Sequence, residues 1–208
     1  MRILKYKKYA KGELINRLRK VTLLHSSNTA SPIYVYKNAQ IEVAHIPVSS
    51  ILPSQFYYLE EPLLRVGRIQ EALMEHKLDL FSLDGFVNYV TNESDIKYNL
   101  LPIVVEYQME KDGSINPIIL DGIHRVILAR KKNLKKIQVI KIAKVSKDFP
   151  HPAYVNPKGW EDVKLAKTAP SKKDKRHWRF PIEEVNKYYR NLNSAFENVG
   201  KPRGRDNE

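Results

Sequence analysis

Leu120-Asp121-Gly122-Ile123-His124-Arg125 stands where an apolar run, Pro117-Ile118-Ile119-Leu120, gives way to the helix-forming stretch Val126-Ile127-Leu128-Ala129-Arg130-Lys131-Lys132. A strand that turns at a glycine into a helix leaves the first N–H groups of that helix without backbone partners. The positive end of the helix dipole lies at the same point. Glycine also lets another group approach the backbone closely, and Arg125 in the first turn adds a two-pronged donor. The turn therefore reads as an anion site, and a nucleotide phosphate is the expected anion.

Outward from the turn, residues 101–107 read as a strand. Lys111-Asp112-Gly113-Ser114 is a turn, so residues 115–120 are expected to return antiparallel beside it. The helix after the motif ends at Asn133, with Lys131, Lys132 and Lys135 at its negative end. Residues 137–142 carry apolar residues on both faces and predict a strand covered on both sides.

Upstream, Pro62 with Glu60 and Glu61 marks a helix start. Leu63, Val66, Ile69 and Leu73 recur at three- and four-residue steps, which predicts a helix to about residue 76. A second short helix is expected over 84–90. Residues 46–53 read as a strand punctuated by prolines, and 33–36 and 41–44 as two short strands. The fold class is α+β, a small mixed sheet with packed helices over residues 45–143. A basic extension with short strands occupies 1–44, and a basic, proline-rich irregular arm begins at 144. Ile182, Val185, Tyr189, Leu192, Phe196 and Val199 predict an amphipathic helix that Gly200 stops, ahead of a polar tail over 201–208.

The whole chain of 208 residues has 36 Lys and Arg against 23 Asp and Glu, a net charge of +13, which favours polyanionic partners. Its hydrophobic content of 42% is enough for a packed core. Cysteine is absent, which excludes disulfides and thiolate chemistry. No stretch has the length and apolarity of a membrane span, and a cytoplasmic protein is expected. His25, His45, His76 and His151 have no metal-ligand spacing.

The order of these pieces resembles the ParB/sulfiredoxin-like superfamily. Residues 119–125, followed by Ala129-Arg130-Lys131 and Ile137-Gln138-Val139-Ile140, carry the resemblance, which covers about half the chain. It implies ATP or CTP bound with magnesium at the Asp-Gly-Ile-His-Arg loop, for phosphotransfer or hydrolysis of the nucleotide. Sulfiredoxins place a catalytic cysteine where this chain has Ile123, so sulfinic-acid repair is excluded. Partition ParB proteins add a helix-turn-helix, and no such module is visible after residue 143. The motif stands nearest to the free serine kinases. Their base is a glutamate after the first proline-bearing strand, where this chain has Gln55. Gln55 is expected to contact substrate without accepting a proton, and Glu60 or Glu61 is the catalytic base that could serve instead.

At the turn, Gly122, Ile123, His124 and Arg125 are the phosphate-binding candidates, and Arg125 has an ion pair with Asp121 or Glu106 as its other reading. His124 either contacts phosphate and donates a proton or merely caps a helix. Asp121 either holds magnesium or accepts backbone N–H groups. Glu106 either faces solvent from an edge strand or acts as a base in the pocket. A second function class stays open, a nucleic-acid-binding or nuclease-like accessory protein. For it, Lys172, Lys173, Lys175, Arg176, Trp178 and Arg179 would hold DNA or RNA, cations on phosphates and the ring on a base.

Overall fold

The structure, a computed structural model, describes residues 1–199. In chain order its elements are β1 (Ile3–Ala10), α1 (Lys11–Leu18), β2 (Thr22–Leu23), β3 (Gln40–Pro47), β4 (Tyr57–Leu59), α2 (Glu60–Met74), β5 (Gly85–Thr91), β6 (Ser94–Leu100), β7 (Ile103–Met109), β8 (Ile115–Asp121), α3 (Ile123–Lys131), β9 (Lys136–Ala143), β10 (Lys164–Ala166) and β11 (Arg190–Asn191). The α+β class expected from the sequence is the class observed.

The central sheet has the order β3-β9-β7-β8. β7 and β8 form the expected antiparallel hairpin, β3 and β9 are antiparallel, and β7 runs parallel to β9. Alternation along the two inner strands splits their side chains between two cores. Ile103, Val105, Ile137 and Val139 pack toward Ala72 and Leu73 of α2 and Val126 and Ala129 of α3. Val104, Ile140 and Ile142 pack toward Leu14 and Leu18 of α1 and toward Leu192, Phe196 and Val199. Burial on both faces explains why β9 lacks the alternating polarity of a half-exposed strand.

The start of α2 follows the sequence closely. Glu60 and Glu61 lie at the positive end of its dipole, and Pro62 sits in the first turn, where no N–H is needed. α3 ends beside Asn133, whose φ of 54° is the left-handed conformation asparagine tolerates.

Four expectations are corrected. Residues 84–90 are strand rather than helix. Phe86, Val87, Tyr89 and Val90 are aromatic or β-branched, and β5 pairs with both β1 and β6 in a sheet of order β1-β5-β6. Residues 33–36 form no strand, and Tyr34 makes a single bridge to Thr22. The proline-punctuated strand stops at Pro47, and a 3-10 turn over Val48–Ser50 follows it. The C-terminal amphipathic helix is absent. Its stretch holds short 3-10 turns at Val185–Lys187 and Leu192–Ser194, with β11 between them paired to β2. The apolar spacing there served successive turns that bury Val185, Leu192, Phe196 and Val199. The helix stop at Gly200 and the polar tail lie outside the described residues. Among the described residues no helix is long and apolar enough to cross a membrane.

Candidate functional site

Gly122 occupies the N-cap position of α3 with φ 100° and ψ 26°, a left-handed conformation that side chains disfavour. Space forbids a side chain as well, since a Cβ built there would lie 2.8 Å from Nη2 of Arg125. Gly122→Ala is expected to destabilise the chain by about 1–2 kcal/mol from backbone conformation alone. Displacing the guanidinium adds to that, and a urea titration reads the sum.

Arg125 is buried beneath the turn rather than pointing out of it. Its Nη2 donates to Oδ2 of Asp121 at 2.7 Å, and its Nη1 donates to the carbonyl of Leu101. The expected phosphate clamp is therefore a strut that ties the end of β8 to the chain entering β7. The pairing with Asp121, rather than Glu106, is the ion pair that forms.

His124 lies where two helices begin. Its Nε2 accepts a hydrogen bond from the backbone N–H of Leu59 at 3.2 Å, and Leu59 is the N-cap residue of α2. Burial holds the imidazole below its usual range, against the raising effect of Asp121. The ring is thus neutral at pH 7, and with Nε2 accepting, the proton sits on Nδ1 and is available to donate. Neither α2 nor α3 has a side-chain cap. The first-turn amides of α3, belonging to Ile123, His124 and Arg125, meet the start of α2 across one histidine. Glu60 and Glu61 are exposed in the first turn of α2. Glu61 acts electrostatically on His124 and pairs with Arg68 at 3.6 Å.

Along α3 from His124, a cleft of about 190 Å³ is lined by Tyr58, Ile127, Arg130, Lys131, Trp160 and Val163. Trp160 comes from the arm, where its Nε1 donates to the carbonyl of Ile51 at 2.8 Å, and the Arg130 guanidinium lies 4.8 Å over its ring. β10 pairs in parallel with β4, which brings Val163 to the same cleft. No cluster of three or more metal-ligating side chains exists among the described residues.

Glu106 is neither at an edge nor in this site, and both expectations for it are corrected. β7 lies inside the sheet, and the side chain points to the face opposite α3, fully buried. Nη2 and Nε of Arg190 donate to its two carboxylate oxygens at 2.6 and 2.9 Å, and the Tyr36 hydroxyl donates to Oε2 at 2.7 Å. Burial alone would raise its pKa, yet the charge and hydrogen bonds of Arg190 hold it below the ordinary range. Arg190 also donates to the carbonyls of Phe149, Pro150 and Tyr188. Sequence reading missed Arg190, Tyr36 and His151 as members of one buried network. A carboxylate inside an otherwise apolar strand is the signal that such a partner exists.

Gln55 is engaged by its own neighbours, with its Nε2 donating to the Tyr57 carbonyl at 2.7 Å and its Oε1 accepting from Arg176 at 3.3 Å. The arm's aromatic and arginine side chains are largely engaged within the protein. Trp178 Nε1 donates to the Lys172 carbonyl, and its ring meets Tyr189 edge-on. Arg179 makes a two-pronged pair with Glu110 at 2.8 and 2.9 Å. Phe180 stacks on Tyr188. Arg176 donates to Ser54, and Lys172 to Asn186 at 3.1 Å. Lys173 is exposed and Lys175 half-buried.

A search of curated proteins finds no match. Among solved structures the chain is similar to a Pnob8-like ParB-N domain, at 9% identity and a TM-score of 0.28 over 54% of this chain. The match spans 33% of that protein's length. The sequence model of the ParB CE domain matches residues 13–164, from within α1 to the first residue of β10, and takes in the whole turn before α3. The chain belongs to the ParB CE domain family.

Proposed function

We propose that this chain binds a nucleoside triphosphate, CTP or ATP, with its phosphates against the joined N-termini of α2 and α3. The observation that carries this reading is the meeting of two helix starts without side-chain caps across the neutral imidazole of His124. Unpaired amides and two dipole ends favour an anion there, and the Nδ1 proton of His124 is a further donor. Gly122 contributes by adopting the left-handed turn and leaving room for the Arg125 guanidinium beneath it, and Arg125 acts indirectly by fixing the turn. Asp121 has one carboxylate oxygen bonded to Arg125, and the other is the one available to magnesium arriving with the phosphates.

The neighbouring cleft suits the base. At about 190 Å³ it is smaller than the roughly 300–1,000 Å³ of a whole-ligand pocket, so it has room for a heterocycle rather than a complete nucleotide. Tyr58 and the Arg130 guanidinium over Trp160 offer flat surfaces, and Lys131 adds charge. Binding is the function this geometry supports first. For phosphotransfer or hydrolysis, Glu60 and Glu61 are the carboxylates that open toward the same corner, and Glu106 is not available.

Titration calorimetry with CTP, ATP and ADP, each with magnesium, tests the reading. His124→Ala is expected to weaken the bound nucleotide at least tenfold. Absence of heat with all three nucleotides, or unchanged affinity in a folded His124→Ala protein, would sink it. Arg125→Ala is unsuitable as the binding test because the strut it removes also holds the fold.

A further inference from the structure

A second cleft lies on the other side of the molecule, over the β1-β5-β6 sheet, with a volume of about 360 Å³. Its floor is made by amide side chains. Asn88 and Asn99 are cross-strand partners, each 8% exposed, and Asn88 Nδ2 donates to Asn99 Oδ1 at 3.2 Å. Asn99 in turn donates to the Glu197 carbonyl at 2.6 Å. The Asn88 side-chain oxygen accepts no protein hydrogen bond among the described residues. Asn193 stands at the wall, its oxygen taken by the Val199 N–H, so its NH2 remains to donate. Such a floor offers both an acceptor and donors, as the edge of a nucleobase requires.

The rim is cationic on more than one side. Arg17 of α1 and Lys97 of β6 line the cleft. Lys7 of β1 is the cross-strand partner of Asn88, so Lys7, Asn88 and Asn99 form one row across three strands. The Lys7 ammonium lies 5.0 Å over the Tyr9 ring, Phe86 stacks on that ring at 4.4 Å, and the Arg17 guanidinium lies 5.4 Å over Tyr9 and 5.1 Å over Phe86. Lys5, two residues from Lys7 and exposed, extends the charge along β1. Arg17 gives one nitrogen to Glu13, and Glu197 is the one carboxylate residue lining the cleft among the described residues.

We propose that this cleft holds single-stranded nucleic acid, one unstacked base on the asparagine floor and the flanking phosphates on Lys7, Arg17 and Lys97. Recessed amides exclude a duplex, because base edges fixed in a groove cannot descend to side chains that are nearly buried. Cations on separate sides of a neutral floor exclude a free mononucleotide as the favoured ligand, since its phosphates leave the base in one direction only. The chain's net charge of +13 acts in the same sense, by drawing a polyanion to the surface. This site is independent of the turn before α3.

The test is fluorescence anisotropy with a labelled mixed-sequence single-stranded oligonucleotide on the full chain, at roughly 50 and 200 mM salt. Lys7→Glu/Lys97→Glu, both on the surface, should weaken binding at least tenfold and flatten the salt dependence. Asn88→Asp, which keeps the side-chain shape but turns the Nδ2 donor to Asn99 into an acceptor and adds a negative charge, should weaken it at least tenfold at a temperature where circular dichroism shows the variant folded. Neither variant should alter the nucleotide heats at His124. Full affinity in the double lysine variant overturns the proposal, whatever the stability of Asn88→Asp. So does equal competition by duplex of the same sequence, or by a mononucleotide at matched nucleotide concentration.

Discussion

Arg190→Ala will cost about 3–5 kcal/mol of folding stability, the penalty for a buried charge left without its partner. The guanidinium removed is fully buried, and it supplies two hydrogen bonds to Glu106 and others to the carbonyls of Phe149, Pro150 and Tyr188. Tyr36 alone would then face the carboxylate. Its hydroxyl already sits well above the ordinary phenol pKa, through burial first and the charge of Glu106 second, so it remains a neutral donor and cannot offset the charge. Urea unfolding followed by circular dichroism reads the loss directly. Glu106→Leu/Arg190→Met should recover part of it, because removing both charges also removes their desolvation cost. Recovery will be incomplete while three carbonyls lack their donor.

Acid will unfold the protein through a different member of the same network. His151 is buried, and burial pushes its imidazole down to about 3 from an ordinary value of 6.5, against the raising effect of Glu106. Between those values the unfolded chain binds a proton that the folded chain does not. The stabilising contribution is therefore complete above pH 6.5 and falls as the pH drops toward 3. The slope approaches about 1.4 kcal/mol per pH unit below the unfolded value, so roughly 2 kcal/mol goes between pH 6.5 and 4.5. His124, lowered in the same direction, adds to the loss. Glu106 titrates below 4.5, which leaves the upper window to histidine. Unfolding free energies at half-unit steps should show this slope, and His151→Gln should flatten it. A flat wild-type profile from pH 6.5 to 4.5 would contradict the assignment.

Much of the central sheet was legible because its signals are local. The β7–β8 hairpin has its own turn, α2 its proline and two glutamates, and α3 its glycine and asparagine. What escaped reading was encoded over distance. β1 is dominated by lysine and tyrosine with little apolar character, and its pairing with β5 makes it a strand. β5 carried strand-forming residues that were outweighed by an expected helix boundary. The stretch from Ile182 to Val199 has helical spacing, yet Asn186, Asn191 and Asn193 are poor helix formers, and Arg190 is drawn inward to Glu106. At the site, the position of the turn was evident, whereas the direction of Arg125 was not. A first-turn arginine can point outward or fold beneath its own glycine, and the Leu101 carbonyl, brought close by the β7–β8 pairing, decides for the second.

The ion pair between Glu106 and Arg190 also orders events during synthesis. The two residues are 84 positions apart, and at roughly 5–20 residues per second a ribosome needs about 4–17 s to make that interval. Until Arg190 emerges, β7, one of the two inner strands of the nascent sheet, holds a carboxylate with no counter-charge, so the sheet cannot close over it. A chain halted shortly before that point should remain open to proteases and to chaperones, although every strand of the central sheet has already been made.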